Sequence, residues 1–197
     1  MMVYFSKQLF NLVKLNVIFL LFIFLFSSLS GISQIHKTIN LDEITQRKVR
    51  KYIVSRKIDQ MPDFSSIHAS WKKGIDESVF NVTQKTFYLK YKLSSVWECY
   101  KHANPVKTWN GHSVRFGLLI LKRSNSVVYS DNTSFPAADT GQVYFLNLRF
   151  IRGIFKIPMA FEIINIDNKR QIMEFSYIDN NKSLGKQTLE FLDNGQG

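Results

Sequence analysis

Apolar residues follow three patterns along the chain, and each predicts a different kind of element. From Leu15 to Phe26 they form an almost unbroken run. From Leu41 they recur at roughly helical spacing, as Leu41, Ile44, Val49, Tyr52, Ile53 and Ile58, behind an Asn40/Glu43 pair of capping-box type. This predicts an amphipathic helix over residues 41–58, ended by Met61-Pro62-Asp63. Beyond Thr83 the period becomes two. Phe87, Leu89 and Tyr91 alternate with Tyr88, Lys90 and Lys92, which predicts a first strand over 83–92. Ser94 or Ser95 then caps a short helix carrying Val96, Trp97 and Tyr100, and Asn104-Pro105 stops it. Six further strands are expected at 114–121, 126–130, 143–150, 157–166, 170–178 and 186–192, separated by polar or Gly-containing turns such as Arg152-Gly153 and Asp167-Asn168-Lys169. Loops this short join antiparallel neighbours, so the fold class expected is α+β: an antiparallel meander with a short helix after its first strand and an amphipathic helix before it.

The first apolar run changes the picture at the N-terminus. Lys7 and Lys14 precede it, no acid does, and the segment to Ser33 is small and polar. That order is the order of a secretory signal. The run is about 12 residues long, against the roughly 20 that a spanning helix needs. Cleavage ahead of Gln34 and export, periplasmic or secreted, are expected, the alternative being an uncleaved signal anchor over residues 12–32. The organisation expected is a signal peptide at 1–33, a helical and irregular segment at 34–80 and a sheet domain at 81–197.

Composition places the positive charge on the domain. The chain has 26 Lys and Arg against 15 Asp and Glu. Only Lys7 and Lys14 fall in the leader, so 24 basic and 15 acidic residues remain, a surplus of nine. Such a balance suits an anionic membrane surface or a polyanion. Nucleic-acid binding is not expected, because the aromatic residues sit in apolar strands rather than among the cations. The basic face of the 41–58 helix, with Arg47, Lys48, Arg50, Lys51, Arg56 and Lys57, offers a weak anionic membrane contact or a plain solvated face. Trp and Phe are missing from that helix's apolar side, so some attraction to anionic vesicles is expected at low salt, and it should collapse as salt screens it.

Catalytic chemistry has little to stand on. The lone Cys99, in Val-Trp-Glu-Cys-Tyr, is expected to be a small buried hydrophobe, with His102 the only nearby base. His36, His68, His102 and His112 show no metal-ligand spacing, and no nucleophile elbow, phosphate loop or dinucleotide fingerprint is present. Glu162 and Glu174 are candidates for a carboxylate pair on neighbouring strands, although alternating solvent-facing acids explain them as well. No cofactor is expected.

The segment Leu93-Ser94-Ser95-Val96-Trp97-Glu98-Cys99-Tyr100 with Pro105 and Trp109 beyond it, then a long meander ending in Phe161-Glu162-Ile163-Ile164-Asn165-Ile166-Asp167, Met173-Glu174-Phe175-Ser176-Tyr177, Gly185 and Leu189-Glu190-Phe191, resembles the START-like or helix-grip superfamily and its polyketide-cyclase-like members. The resemblance covers residues 83–197. It implies a curved sheet around a C-terminal helix with an apolar ligand between them. Here the sequence ends at Asp193-Asn194-Gly195-Gln196-Gly197, where the family places another strand and the closing helix. The expectations are a truncated domain, or a sheet covered by the 41–58 helix instead, or an exposed apolar face. The function implied is an exported binding module for a lipid or another hydrophobic small molecule. Its cavity walls would be Trp97, Tyr100, Phe116, Leu118, Tyr144, Leu146, Leu148, Phe161, Met173, Phe175, Tyr177 and Phe191, although a plain core uses the same residue types. The alternatives are a cyclase-like or hydrolytic enzyme, which needs polar groups such as His102 or a buried acid inside the cavity, and a structural or membrane-surface protein. A packed interior favours the last.

Overall fold

A computed structural model describes residues 38–193 and Gly195, apart from Lys73, Asp76, Glu77, Val79 and residues 180–183. The leader, with its cleavage site, lies outside the described residues, as does His36. The described residues all belong to one compact unit.

Six strands make one antiparallel sheet: β1 (Val114–Leu121), β2 (Ser126–Tyr129), β3 (Gln142–Phe150), β4 (Phe155–Asp167), β5 (Ile172–Tyr177) and β6 (Lys186–Glu190). Their order across the sheet is β2-β1-β3-β4-β5-β6. Apart from β2, which folds back to the outer edge of β1, it is the expected meander. Among the described residues three short α-helices accompany it: α1 (Arg47–Ser55), α2 (Leu93–Lys101) and α3 (Pro105–Thr108).

Both faces of the sheet are covered, by different stretches of chain. On one face Leu118, Ile120, Val143 and Phe145 meet Ile44, Val49, Tyr52, Ile53, Phe64 and Ile67 of the N-terminal segment. On the other, Phe116, Tyr144, Leu146, Phe161, Met173 and Phe175 lie under Trp97 of α2, Val106 of α3, Trp109, and Phe135 and Ala138 of the loop before β3. The N-terminal helix therefore covers the sheet, but on the face opposite the aromatic layer.

Two expected elements take another form. Residues 83–92 make no strand, and Phe87, Tyr88 and Tyr91 are more than 70% exposed. Alternation gave that segment a strand's local pattern, yet neither sheet edge pairs with it, and an unpaired strand is not stable in water. With that strand gone, α2 and α3 precede the whole sheet. The expected 41–58 helix is instead a 3-10 turn at Leu41–Glu43, then α1, then a second 3-10 turn at Ile58–Gln60. Asn40 does cap, its Oδ1 accepting from the Asp42 amide, but the reciprocal bond of a capping box is replaced: Glu43 Oε1 accepts from Asn40 Nδ2 at 2.8 Å, and the Asn40 amide donates to the Tyr129 hydroxyl instead. The turn it caps stops at Ile44, whose extended backbone carries the fully buried side chain into the sheet.

Gly117 fixes how α1 and the sheet meet. A Cβ there would stand 2.8 Å from the Phe145 carbonyl oxygen and 2.9 Å from Val49 Cγ1. Only glycine permits this approach. The same residue is the bulge of β1: Phe116 pairs with Leu146, but Leu118 pairs with Phe145. An extra residue turns the rest of the strand over, so Leu118 joins the α1 face while Leu119 joins the aromatic one.

Candidate functional site

The aromatic layer gathers most of the residues expected to line a cavity. Trp97, Phe116, Tyr144, Leu146, Phe161, Met173 and Phe175 are all buried there. Leu118 is not among them, because the Gly117 bulge sends it to the opposite face. Leu148 and Tyr177, both half-buried, share the layer's side through their register with Val114 and Phe161. Tyr100 sits at the rim, and Phe191 packs beneath it and Trp97, with ring centroids 5.1 and 5.5 Å apart. Leu119, Val128 and Ile163, which the residue pattern did not single out, complete the layer.

These side chains touch one another. Tyr144 stacks on Phe161 at 5.3 Å, Phe175 meets Phe161 edge-on at 5.3 Å, and Trp109 caps Phe161 at 5.6 Å. Such offset and edge-on pairs are the preferred packing of aromatic cores. Three side chains at the layer's edge have paired polar groups: the Tyr144 hydroxyl donates to Gln142 Oε1, Gln142 Nε2 donates to the Ala137 carbonyl, and Trp97 Nε1 donates to Asn168 Oδ1. Burial raises the Tyr144 phenol well above its ordinary range. The cover is thin, two helices and a loop joined by the Ala138 amide donating to the Lys101 carbonyl at 2.7 Å. α3 is set by Asn104, whose Oδ1 accepts from the Val106 and Lys107 amides ahead of Pro105.

The candidate reactive groups are dispersed. Cys99, expected to be buried, is exposed. Trp97 takes the inward position on α2, and a residue two further along a helix points elsewhere. His102 is on the outside too, 3.5 Å from Glu98. Glu162 and Glu174 do not pair with each other. They lie on the α1 side of the sheet, where the β4 bulge at Ile164 sets Glu162 opposite Ser176 and Asn165 opposite Glu174. Glu162 is buried and takes a hydrogen bond from Lys122 Nζ at 2.8 Å, and Lys122 also donates to the Ile67 carbonyl. Glu174 accepts from Lys186 and Asn165. Partial burial opposes its ionisation, and those two donors outweigh burial and hold its carboxyl below the usual range. Among the described residues no His, Cys, Asp and Glu cluster suits a metal ion, and no helix is long and apolar enough to cross a membrane.

A different site forms on the α1 face. Where α1 begins, a groove of about 520 Å³ opens between that helix and the β3–β4 hairpin. Arg47, Lys48 and Lys51 line it from α1 and Lys156 from β4. Among the described residues none of these four is ion-paired. Asn147, only 3% exposed, lines the groove as well; its Nδ2 donates to Gln46 Oε1 while its Oδ1 has no partner. The sequence names the three α1 cations as a basic face. Lys156 is joined to them only by tertiary folding.

Compared with protein-family models, with curated proteins and with solved structures, the chain shows no match in any of the three.

Proposed function

We propose that this chain is an exported, non-catalytic lipid-binding module whose contact is an anionic membrane surface. The groove carries this reading. Four cations converge there without carboxylate partners among the described residues, and like charges held together repel unless an anion joins them. The apolar side of α1 is consumed by the core, through Val49, Tyr52 and Ile53, so its basic side is what remains for a partner.

The expected behaviour of the chain beginning at Gln34 is cosedimentation with vesicles of phosphatidylglycerol and phosphatidylcholine at low salt, and none with phosphatidylcholine alone. Lys48 and Lys51 are exposed, so Lys48→Glu with Lys51→Glu should spare the fold. Each basic residue near an anionic surface is worth about 1 kcal/mol, so the double reversal should weaken low-salt binding by at least roughly thirtyfold. Equal binding to both vesicle types, or none to either, rejects the proposal.

A second reading places an apolar ligand in the aromatic layer, as the helix-grip resemblance implies. The thin cover of α2, α3 and the Phe135 loop favours it, since such a cover opens more readily than a sheet edge.

A further inference from the structure

The β3–β4 hairpin runs beyond its neighbours. β1 pairs with β3 only as far as Leu148, and β5 pairs with β4 only from Phe161. The Arg149 amide still donates to the Ser113 carbonyl at 2.8 Å, so the two-stranded arm runs from Phe150 to Pro158, and its turn is Phe150-Ile151-Arg152-Gly153-Ile154-Phe155, apolar apart from Arg152 and Gly153. Register divides the arm into two sides. Leu148, Phe150, Phe155 and Ile157 share one, while Arg149 and Lys156 share the other, toward the basic groove. At the end Ile151 and Ile154 are 67% and 74% exposed, and Phe155 is 58% exposed.

The backbone of the turn opposes the residue it carries. Ile151, Arg152 and Gly153 all have positive φ, at 47°, 54° and 88°. Left-handed backbone suits glycine or asparagine, whereas a β-branched side chain there is strained. Ile151 thus contributes neither backbone ease nor core burial. Strain kept at an exposed position points to a role outside folding.

We infer that this arm inserts into the interfacial region of an anionic phospholipid bilayer, with Ile151, Ile154 and Phe155 entering the acyl boundary and Arg149, Arg152 and Lys156 meeting the headgroups beside the groove. This deepens the surface reading above and rests on it. Apolar residues at a tip with cations behind them are the arrangement that an anionic interface attracts and holds. A second copy of the chain fits less well. From Asn147 to Phe161 the sequence has three cations and no acid, so two tips would repel. The insertion supplies what the α1 face lacks, large apolar residues that salt does not screen.

The test uses the chain from Gln34, which contains both layers of the core, with vesicles of equal parts phosphatidylglycerol and phosphatidylcholine at low and at molar salt. The parent should stay bound at molar salt. Ile151→Asn should weaken that salt-resistant binding by roughly tenfold, the loss of one partly inserted side chain, while melting at the same temperature or higher because asparagine accepts left-handed backbone. A structural residue would not separate the two readouts. In Ile154→Trp, the new indole should be quenched by brominated lipid. Parent binding at low salt that vanishes at molar salt, or an indole that stays unquenched, overturns insertion and leaves the electrostatic reading intact. Absence of binding at low salt removes both. Self-association without vesicles that Ile151→Asn abolishes also overturns insertion, by making a second copy the occupant.

Discussion

Single residues decide where this fold departs from its sequence pattern. In Phe116-Gly117-Leu118 a period-two reading puts both apolar side chains on one face, and the bulge at Gly117 puts them on opposite faces. A glycine inside an apolar strand was the available signal for that bulge. Cys99 fails differently: its neighbours are apolar, but burial on a helix follows angular position, and Trp97 holds the inward one. Tyr129 offers a test at this scale. Its hydroxyl is buried against the N-terminal segment, accepting from the Asn40 amide at 2.6 Å. Burial, reinforced by Glu43 and Asp131 and opposed by the Asn40 amide, pushes the phenol up from 10.0 to about 12. A folded-state value above the unfolded one means that the neutral form is stabilised. This contribution is complete below the unfolded value and is lost as pH rises through the folded one. Urea denaturation across that alkaline range should therefore show the parent losing stability more steeply than Tyr129→Phe, which cannot ionise. Tyr144 adds an alkaline loss common to both proteins. Parallel pH profiles would show that the Tyr129 hydroxyl is not desolvated in solution.

Elements were legible where local pattern and pairing agree. All six strands of the sheet lie within about two residues of their expected bounds, because alternation along each run and polar turns between runs define the same hairpins. Residues 83–92 show the limit: alternation is a property of the segment, while strand formation needs an edge to pair with. The 41–58 segment shows another. Its spacing is near-helical but slips at Ile44 and again beyond Ser55, and the chain uses each slip to turn a different side chain into the sheet. The β3–β4 tip was read only as an Arg152-Gly153 turn, although apolar residues on both sides of a turn were the visible sign of something more. Whether α1 is a structural element can be measured on adjacent positions. Ile53 is fully buried and Val54 is 45% exposed. Ile53→Ala should cost about 2–5 kcal/mol, as large-to-small changes in cores do, whereas Val54→Ala should stay within about 0.5 kcal/mol. Chemical denaturation of both variants decides the matter, and comparable small losses would mean that α1 only rests against the sheet.

At the scale of the molecule, the two faces of the sheet divide the work. One is closed by the N-terminal segment and carries the groove and the cations; the other is closed by α2, α3 and the Phe135 loop over an aromatic layer. The expected wall residues were legible as a group because their alternation is regular, but whether a group of aromatic residues encloses space or fills it depends on the cover, which no strand pattern encodes. Phe175 lies at the centre of that question, edge-on to Phe161 and paired in register with Ile163 and Gln187. If the layer is a filled core, Phe175→Trp forces neighbouring rings off their rotamers and should destabilise the domain by about 1–3 kcal/mol, with no fluorescent fatty acid bound by parent or variant. If the layer parts to admit a ligand, the parent binds the fatty acid, and the larger indole weakens that binding at little cost in thermal stability. Ring contacts near 5.3 Å, with the Tyr144 hydroxyl and the Gln142 amide paired at the edge, lead us to expect the first result. Fatty-acid binding by the parent that Phe175→Trp weakens would move the lipid site from the basic face to the aromatic one, and would do so whatever the vesicle experiments show.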